Sequence, residues 1–419
     1  MLLLLPLLPS CALFHHDIAQ EPPRPKGVVN VDAHNYQING KDNVIGRLAN
    51  VPLQQGDTLL DIARHFGLGY QHITEANPNL DPWVPQQNAR AVLPLQFILP
   101  DTPRKGVVIN LAAMRLFYFA DGGHSTLSTW PIGAGREGRS TPMGVMAIQR
   151  KKEHPTWHVP DSIRRTHEQQ GDPLPAVVPS GPDNPLGEYA LYLSRPSYLI
   201  HGTNKPFSIG LRASNGCIRL YPEDIALAFR EIPPQTEVRV VNRPYLLGWL
   251  EGQLYLEAHR PFEELDAKQE KRKLLAELHK ISISQSHKLN WSKIEETIVQ
   301  SRGIPTPIFE QSESLDQRLA EAIQLERPSQ LTGQPKLSEL AADGWLLRTA
   351  KTFDEYGARK LAAQLNHLGP RIPAVTVAGS QGYHVIAGPF IQERQAKKVQ
   401  LILNIDFETK SEIIKPSKS

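Results

Sequence analysis

"HGTNKPFSIGLRASNGCIRLYPEDI", residues 201–225, carries one of only two cysteines in a chain of 419 residues. Cys217 follows Gly216 and precedes Ile218 and Arg219, with Asn215 two places before it. A cysteine attacks an acyl carbon only as thiolate, and at an ordinary pKa of about 8.5 little thiolate exists at neutral pH. A neighbouring imidazole answers this by taking the proton and later returning it to a leaving amine. His201 is the only histidine between His167 and His259, which makes it the candidate base. It follows the apolar run "YLI", and a strand end is a rigid place to hold an imidazole. Gly216 lets the backbone turn sharply and leaves amides uncovered that can meet the oxygen anion of a tetrahedral intermediate.

The sequence around this stretch alternates short β-branched runs with glycine and proline turns. "GVVINLAAMRLFYF" (106–119) patterns as a hairpin, and "EYALYLSRPSYLIHG" (188–202) and "TEVRVVNRP" (236–244) add strands. The one convincing helix here is "PEDIALAFREI" (222–232), directly after the cysteine. Residues 101–244 therefore read as a compact β-rich domain.

Upstream, "GDTLLDIARHFGL" (56–68) places Leu59, Ile62, Ala63 and Phe66 at helical spacing. Thr58 with Asp61 makes a capping-box start and Gly67 suits the stop. A second short helix, about 71–76, ends at Asn77-Pro78, and "AVLPLQFILP" (91–100) reads as strand, giving a small αβ module over 46–100. Residues 21–45 are polar and irregular, which reads as a tether. The first twenty residues, "MLLLLPLLPSCALFHHDIAQ", read as an export signal with a lipoprotein-type box around Cys11, the lipidation candidate, although no basic residue precedes the apolar stretch. With Cys11 lipidated or removed, Cys217 has no disulfide partner in an oxidising compartment, as expected of a reactive thiol, an intermolecular bridge or an inert buried cysteine, between which its neighbours decide.

Downstream, 245–303 reads as a charged helical extension and 304–343 as a linker rich in Pro, Ser and Gln, with one helical patch at "ESLDQRLAEAIQL" (313–325). Residues 344–419 follow the order β-α-β-β-α-β, a ferredoxin-like α+β unit. Its first helix presents Ala358, Leu361, Ala362, Leu365 and Leu368 on one face, with Thr352 and Glu355 read as its cap. The chain is thus multidomain, as its length suggests. A net charge of +3 from 46 basic and 43 acidic residues is too weak and too mixed for nucleic-acid binding. No run of 18 apolar residues exists to span a membrane as a helix.

In its order and wording, the opening stretch resembles the signature of the YkuD-type L,D-transpeptidases, His-Gly-Thr followed by Ser-x-Gly-Cys-x-Arg. The likeness extends upstream through "PIGAGREGRSTPMG" (131–144) and "GDPLPAVVPSGPDNPLGEYALYL" (171–193), and is strongest to the ErfK/YbiS-like periplasmic subgroup. Residues 46–100, with "EANP" (75–78), resemble a LysM glycan-binding module, and 344–419, with "YHVIAGPF" (383–390), resemble a SPOR peptidoglycan-binding domain. The carboxy-terminal extension and the SPOR-like unit depart from that subgroup's usual end. The resemblance implies a β-sandwich-like catalytic domain working without cofactor or metal in the periplasm of a Gram-negative bacterium, anchored to the outer membrane if Cys11 is lipidated. It implies a thioester on Cys217, formed by cleaving the diaminopimelate–D-Ala bond of a peptidoglycan tetrapeptide stem and resolved by an amine. The amine belongs to a lipoprotein or outer-membrane protein lysine, or to another diaminopimelate. On this carry-over His201 is the base, Gly216 with the Cys217 amide faces the oxyanion, and Ser214, Asn215 and Arg219 shape the loop or meet substrate. Asn215 stands where relatives commonly have histidine, and an amide neither titrates nor serves as a base. Two alternatives stay open: a carboxypeptidase or hydrolase with water as acceptor, and a catalytically weak peptidoglycan-binding scaffold.

Overall fold

The computed structural model describes residues 32–38, 42–120, 126–169, 173–284, 287–334, 343–369 and 371–416. Cys11, the export-signal reading and the first part of the tether lie outside them. The centre is a nine-stranded sheet in the order Asn35–Gln37, Thr126–Pro131, Arg115–Phe119, Gly106–Asn110, Glu237–Val241, Gly144–Glu153, Tyr189–Leu193, Leu199–His201 and Ile218–Arg219. Gly106–Asn110 lies parallel to Glu237–Val241, and Leu199–His201 parallel to Ile218–Arg219; the other neighbours are antiparallel. The long strand Gly144–Glu153 pairs with Glu237–Val241 through its first four residues. A bulge between Ile148 and Arg150 then carries its second half along Tyr189–Leu193.

Strand side chains alternate between faces, so the two sides of this sheet bury different residues. Val107, Ile109, Leu116, Tyr118, Val238 and Val240 pack with Leu220, Ile225, Ala228 and Ile232 at and around the helix Pro222–Glu231. Val108, Phe117, Phe119 and Leu127 share the opposite core with Leu59, Ile62, Leu68, Ile73, Leu95 and Phe97 of the N-terminal module. That module and the catalytic sheet therefore have one continuous core. Its helices, Leu59–His65 and Tyr70–Ala76, lie between the strands Ala49–Pro52 and Arg90–Leu93. Thr58 and Asp61 form the expected capping box, and the chain leaves the first helix through Gly67 at φ +61°.

Several expectations differ from the structure. Residues 35–37, read as tether, form an edge strand of the main sheet, because Tyr36 and Ile38 are apolar enough to be buried. The extension read as helical begins with a hairpin, Tyr245–Leu250 and Gln253–Ala258, turning through Glu251 and Gly252, both at positive φ. The helices Ala267–Ser284 and Trp291–Gln300 follow as expected and pack on it through Leu274, Leu278, Ile294 and Ile298. Residues 304–334, read as linker, are packed: Thr306–Pro307 joins the hairpin sheet and Ile323–Gln324 lies parallel to Ala49–Asn50. Ile308, Phe309, Leu325 and Leu331 are buried, which proline- and glutamine-rich composition conceals. Finally, a helix at Asp161–Gln169 stands where none was expected; it buries no residue, so no apolar stripe announces it.

The C-terminal unit has the strand order Ala374–Gly379, Gly382–Phe390, Trp345–Thr349, Ser411–Ile414, covered by the helices Glu355–His367 and Glu393–Asp406. The face Ala358, Leu361, Ala362 and Leu365 is buried as its spacing requires, with Leu368 packed beside it. The cap is Asp354, whose carboxylate accepts from the Gly357 amide, and not Thr352 or Glu355. Among the described residues no helix is long and apolar enough to cross a membrane.

Candidate active site

The parallel pairing of Leu199–His201 with Ile218–Arg219 sets Ile200 against Ile218 and His201 against Arg219. Ile200 and Ile218 point into the core. Alternation therefore turns His201, Arg219 and Cys217 to the other face of the same two strands. Residues far apart in the chain are brought together by strand register, and the sequence between them loops out and returns. On its way back it forms the strand Arg212–Ser214, parallel to Ala134–Gly135.

Ser214 closes the turn that carries the cysteine. Its hydroxyl donates to the Cys217 carbonyl at 2.6 Å and accepts from the Gly216 amide at 3.1 Å. Gly216 has φ +107°, and a Cβ there would stand 2.8 Å from the Tyr198 ring, so both conformation and space require glycine. Asn215 is exposed at the tip and has no hydrogen bond among the described residues.

His201 is 4% exposed, and its Nδ1 lies 2.6 Å from the Gly202 carbonyl. A carbonyl only accepts, so Nδ1 carries the proton and Nε2 keeps its lone pair. Burial, and then the charge of Arg219, push the imidazole down to about 3 against the opposing Gly202 and Leu186 carbonyls. It is neutral throughout the physiological range. Cys217 is half-buried and points its thiol at the Ser197 carbonyl, with 3.6 Å between Sγ and the oxygen. Burial raises the thiol above its ordinary value, more than a Leu199 backbone hydrogen bond and Arg219 lower it. The resting pair is thus thiol and imidazole, not thiolate and imidazolium. No hydrogen bond joins Sγ to the ring among the described residues.

Arg219 donates to the Ser208 hydroxyl at 3.3 Å and has no carboxylate partner among the described residues. Its Nε is buried without an acceptor, and burial lowers its affinity for the proton. A salt bridge holding the loop is therefore not its role in this structure. Ser197, Tyr198 and the Leu186 and Gly202 carbonyls were not singled out from the sequence. The turn "RPS" ahead of "YLI" was the one local signal that a bend would approach Cys217.

Residues 104–240 match the family model of the YkuD L,D-transpeptidase catalytic domain, 53–82 the LysM domain and 341–412 the SPOR domain. LysM and SPOR domains bind peptidoglycan, the polymer on which L,D-transpeptidases act. The probable L,D-transpeptidase ErfK/SrfK of Salmonella typhimurium is 43% identical over 222 residues, which cover 52% of this chain and 71% of that protein. The probable L,D-transpeptidase YbiS of Escherichia coli K12 is 39% identical over 236 residues, 55% of this chain and 76% of its own. YcfS of the same strain is 41% identical over 214 residues, 50% and 67% of the two chains. A YkuD catalytic domain flanked by LysM and SPOR domains, with relatives at this level of identity, places the chain in the ErfK/YbiS-like L,D-transpeptidase family.

Proposed function

We propose that this L,D-transpeptidase works through a thioester on Cys217, with His201 as general base. The observation that carries the reading is the meeting of Cys217, His201 and Arg219 on one face of two parallel strands. The donor is a peptidoglycan tetrapeptide stem, and the bond broken joins diaminopimelate to the terminal D-Ala. Because thiol and imidazole both rest neutral, the proton leaves Sγ for Nε2 as the sulfur–carbon bond forms. The thiol must first swing from the Ser197 carbonyl toward the ring, a contact that binding of substrate tightens.

The carbonyl electrons move onto oxygen, and the Cys217 amide, which has no acceptor of its own among the described residues, is the donor that receives them. The Gly216 amide is held by Ser214 and joins only if that hydrogen bond opens. Arg219, a half-buried cation whose Nε is buried without an acceptor, is the group that meets the anionic charge of substrate or intermediate. Collapse of the tetrahedral intermediate returns the proton from Nε2 to the leaving amine, D-Ala departs, and the acyl group remains on sulfur. An incoming amine, from an envelope protein lysine or a second diaminopimelate, loses its proton to Nε2, displaces the thiolate, and the thiol reforms. The site of action is the periplasm, with Cys11 as the proposed lipid anchor and the LysM and SPOR domains holding the enzyme to its polymer.

Incubating the protein with tetrapeptide muropeptides and an amine acceptor tests the reading by mass spectrometry. D-Ala release with an acyl–amine product is expected. Cys217→Ala should lose it entirely, and His201→Gln should slow it by about 10²–10⁴-fold. Release with water as the only acceptor would make the enzyme a carboxypeptidase. Release that survives Cys217→Ala would overturn the nucleophile.

A further inference from the structure

The two segments that flank Gly216 and Cys217 are tied together from outside the catalytic domain. One is the strand Arg212–Ser214, which runs into the cysteine turn. The other is the loop 136–141, where the Ser140 and Arg139 carbonyls would stand 3.4 and 3.5 Å from a Cβ on Gly216. This loop also meets the turn directly, since the Arg136 amide donates to the Ser214 carbonyl at 3.0 Å.

Arg212 is only 15% exposed along its side chain, and every guanidinium nitrogen is engaged. Nε donates to the Gly135 carbonyl at 3.0 Å, Nη1 to Glu263 at 2.5 Å and to Glu264 at 3.1 Å, and Nη2 to Glu264. Its charged face lies 4.3 Å from the centre of the Phe262 ring. The Ser140 hydroxyl donates to the same Glu264 oxygen that Nη2 meets. Burial raises the Glu264 carboxyl, but the hydrogen bonds of Arg212 and Ser140 outweigh it and keep the group ionised. One carboxylate thus joins both segments, and it belongs to the stretch Phe262–Glu264, beyond the residues that match the catalytic family.

We propose that Glu264, supported by Glu263 and Phe262, is a positioning residue for Cys217, acting through Arg212 and Ser140 to hold the nucleophile's turn closed. The carboxylate side of the bridge is open to solvent, and a solvent-screened ion pair contributes little to stability, so this bridge matters for geometry more than for folding. Its loss leaves the Arg212 strand and the 136–141 loop held by the pairing with Ala134–Gly135, the Arg136–Ser214 hydrogen bond and the 3.4 Å contact of Arg212 Nη2 with the Ser140 hydroxyl. That loosens the turn, admits water to the thiol, and disperses the angle from which Sγ approaches its target. Misplacement of a reacting group by about an ångström costs one to two decades in rate.

The inference rests on the thioester reading only for its kinetic part, so the test has a second readout that needs no turnover. The pH dependence of Cys217 alkylation by iodoacetamide is measured on the full chain and on Glu264→Ala, Glu264→Gln and Glu264→Asp, with D-Ala release and thermal unfolding alongside. Because burial raises the thiol, a loosened turn should shift the alkylation midpoint of Glu264→Ala down by roughly half a pH unit. Its kcat should fall about tenfold with KM within about twofold. Glu264→Asp should recover part of both, and Tm should move by no more than about 2–4 °C. If Glu264→Ala does not fold, Glu264→Gln carries the comparison. An unchanged midpoint in a folded variant overturns the proposal, as does a kcat loss that follows Tm alone. A chain that never releases D-Ala but shows the shift would sink the catalytic reading and keep the positioning one.

Discussion

Asn215 stands exposed at the tip of the Ser214–Cys217 turn, where it neither braces the loop nor reaches the imidazole by any hydrogen bond among the described residues. A histidine there adds a group that titrates near 6.5, and its cationic form stabilises a thiolate. Asn215→His is expected to raise the Cys217 alkylation rate at pH 6 relative to pH 8, flattening the native rise of rate with pH; an unchanged profile shows that this position does not sense the thiol. His201 and Cys217 were legible as candidates from residue type, order and spacing to a glycine, and the register of their strands sets them on one face. Their neutrality was not legible, because it arises from burial, and for His201 also from the charge of Arg219, which only folding assembles. Nor was the capture of the Gly216 amide by Ser214, a contact between residues two apart that depends on the turn's conformation.

At the scale of elements, local chemistry announced what local chemistry controls. The Thr58–Asp61 capping box is present in both directions, the threonine hydroxyl accepting from the Asp61 amide at 3.1 Å. Thr58→Ala is expected to cost about 1–2 kcal/mol in denaturant unfolding, while Thr58→Ser should lie close to the native value. Equal losses for both would show that packing of the methyl group, not the cap, carries the effect. The hairpin Tyr245–Ala258 was missed although Glu251-Gly252 is a usable two-residue turn, because a helical charged run follows so closely. The strand Ile323–Gln324 carried no local signal: it is two residues long and exists because Ala49–Asn50 offers an open edge. The C-terminal β-α-β-β-α-β order was readable because each helix face repeats cleanly and each strand is bounded by turn residues.

Over the whole molecule, the three domain matches were readable, but their packing on one another was not. The SPOR domain docks on the LysM module through side chains that no periodicity marks. His367 meets Asp61 at 3.0 Å and stacks edge-on against Trp83, while Tyr356 and Lys360 both reach Asp81. Burial would lower His367, and Arg371 opposes its charge, but the hydrogen bond and charge of Asp61, with the Ala363 carbonyl, raise it overall. Burial pushes Asp81 up, yet Tyr356, Lys360 and the Val84 and Trp83 amides hold it at about 2, so that contact stays charged. A histidine raised by folding contributes stability that is full below its unfolded value near 6.5 and lost as pH rises through the folded one. The docked arrangement is therefore expected to loosen on the alkaline side, seen as a growing radius of gyration in X-ray scattering, and His367→Gln should remove that pH dependence; a radius independent of pH in the native chain would show that the ion pair does not hold the domains. The central claim is read most directly on the intact chain by mass spectrometry after brief exposure to a tetrapeptide muropeptide without amine acceptor. The account predicts a mass increase equal to the donor less D-Ala, located on Cys217, removed by hydroxylamine and absent in Cys217→Ser. An adduct on any other residue, or D-Ala release with no acyl-enzyme formed at all, would contradict it.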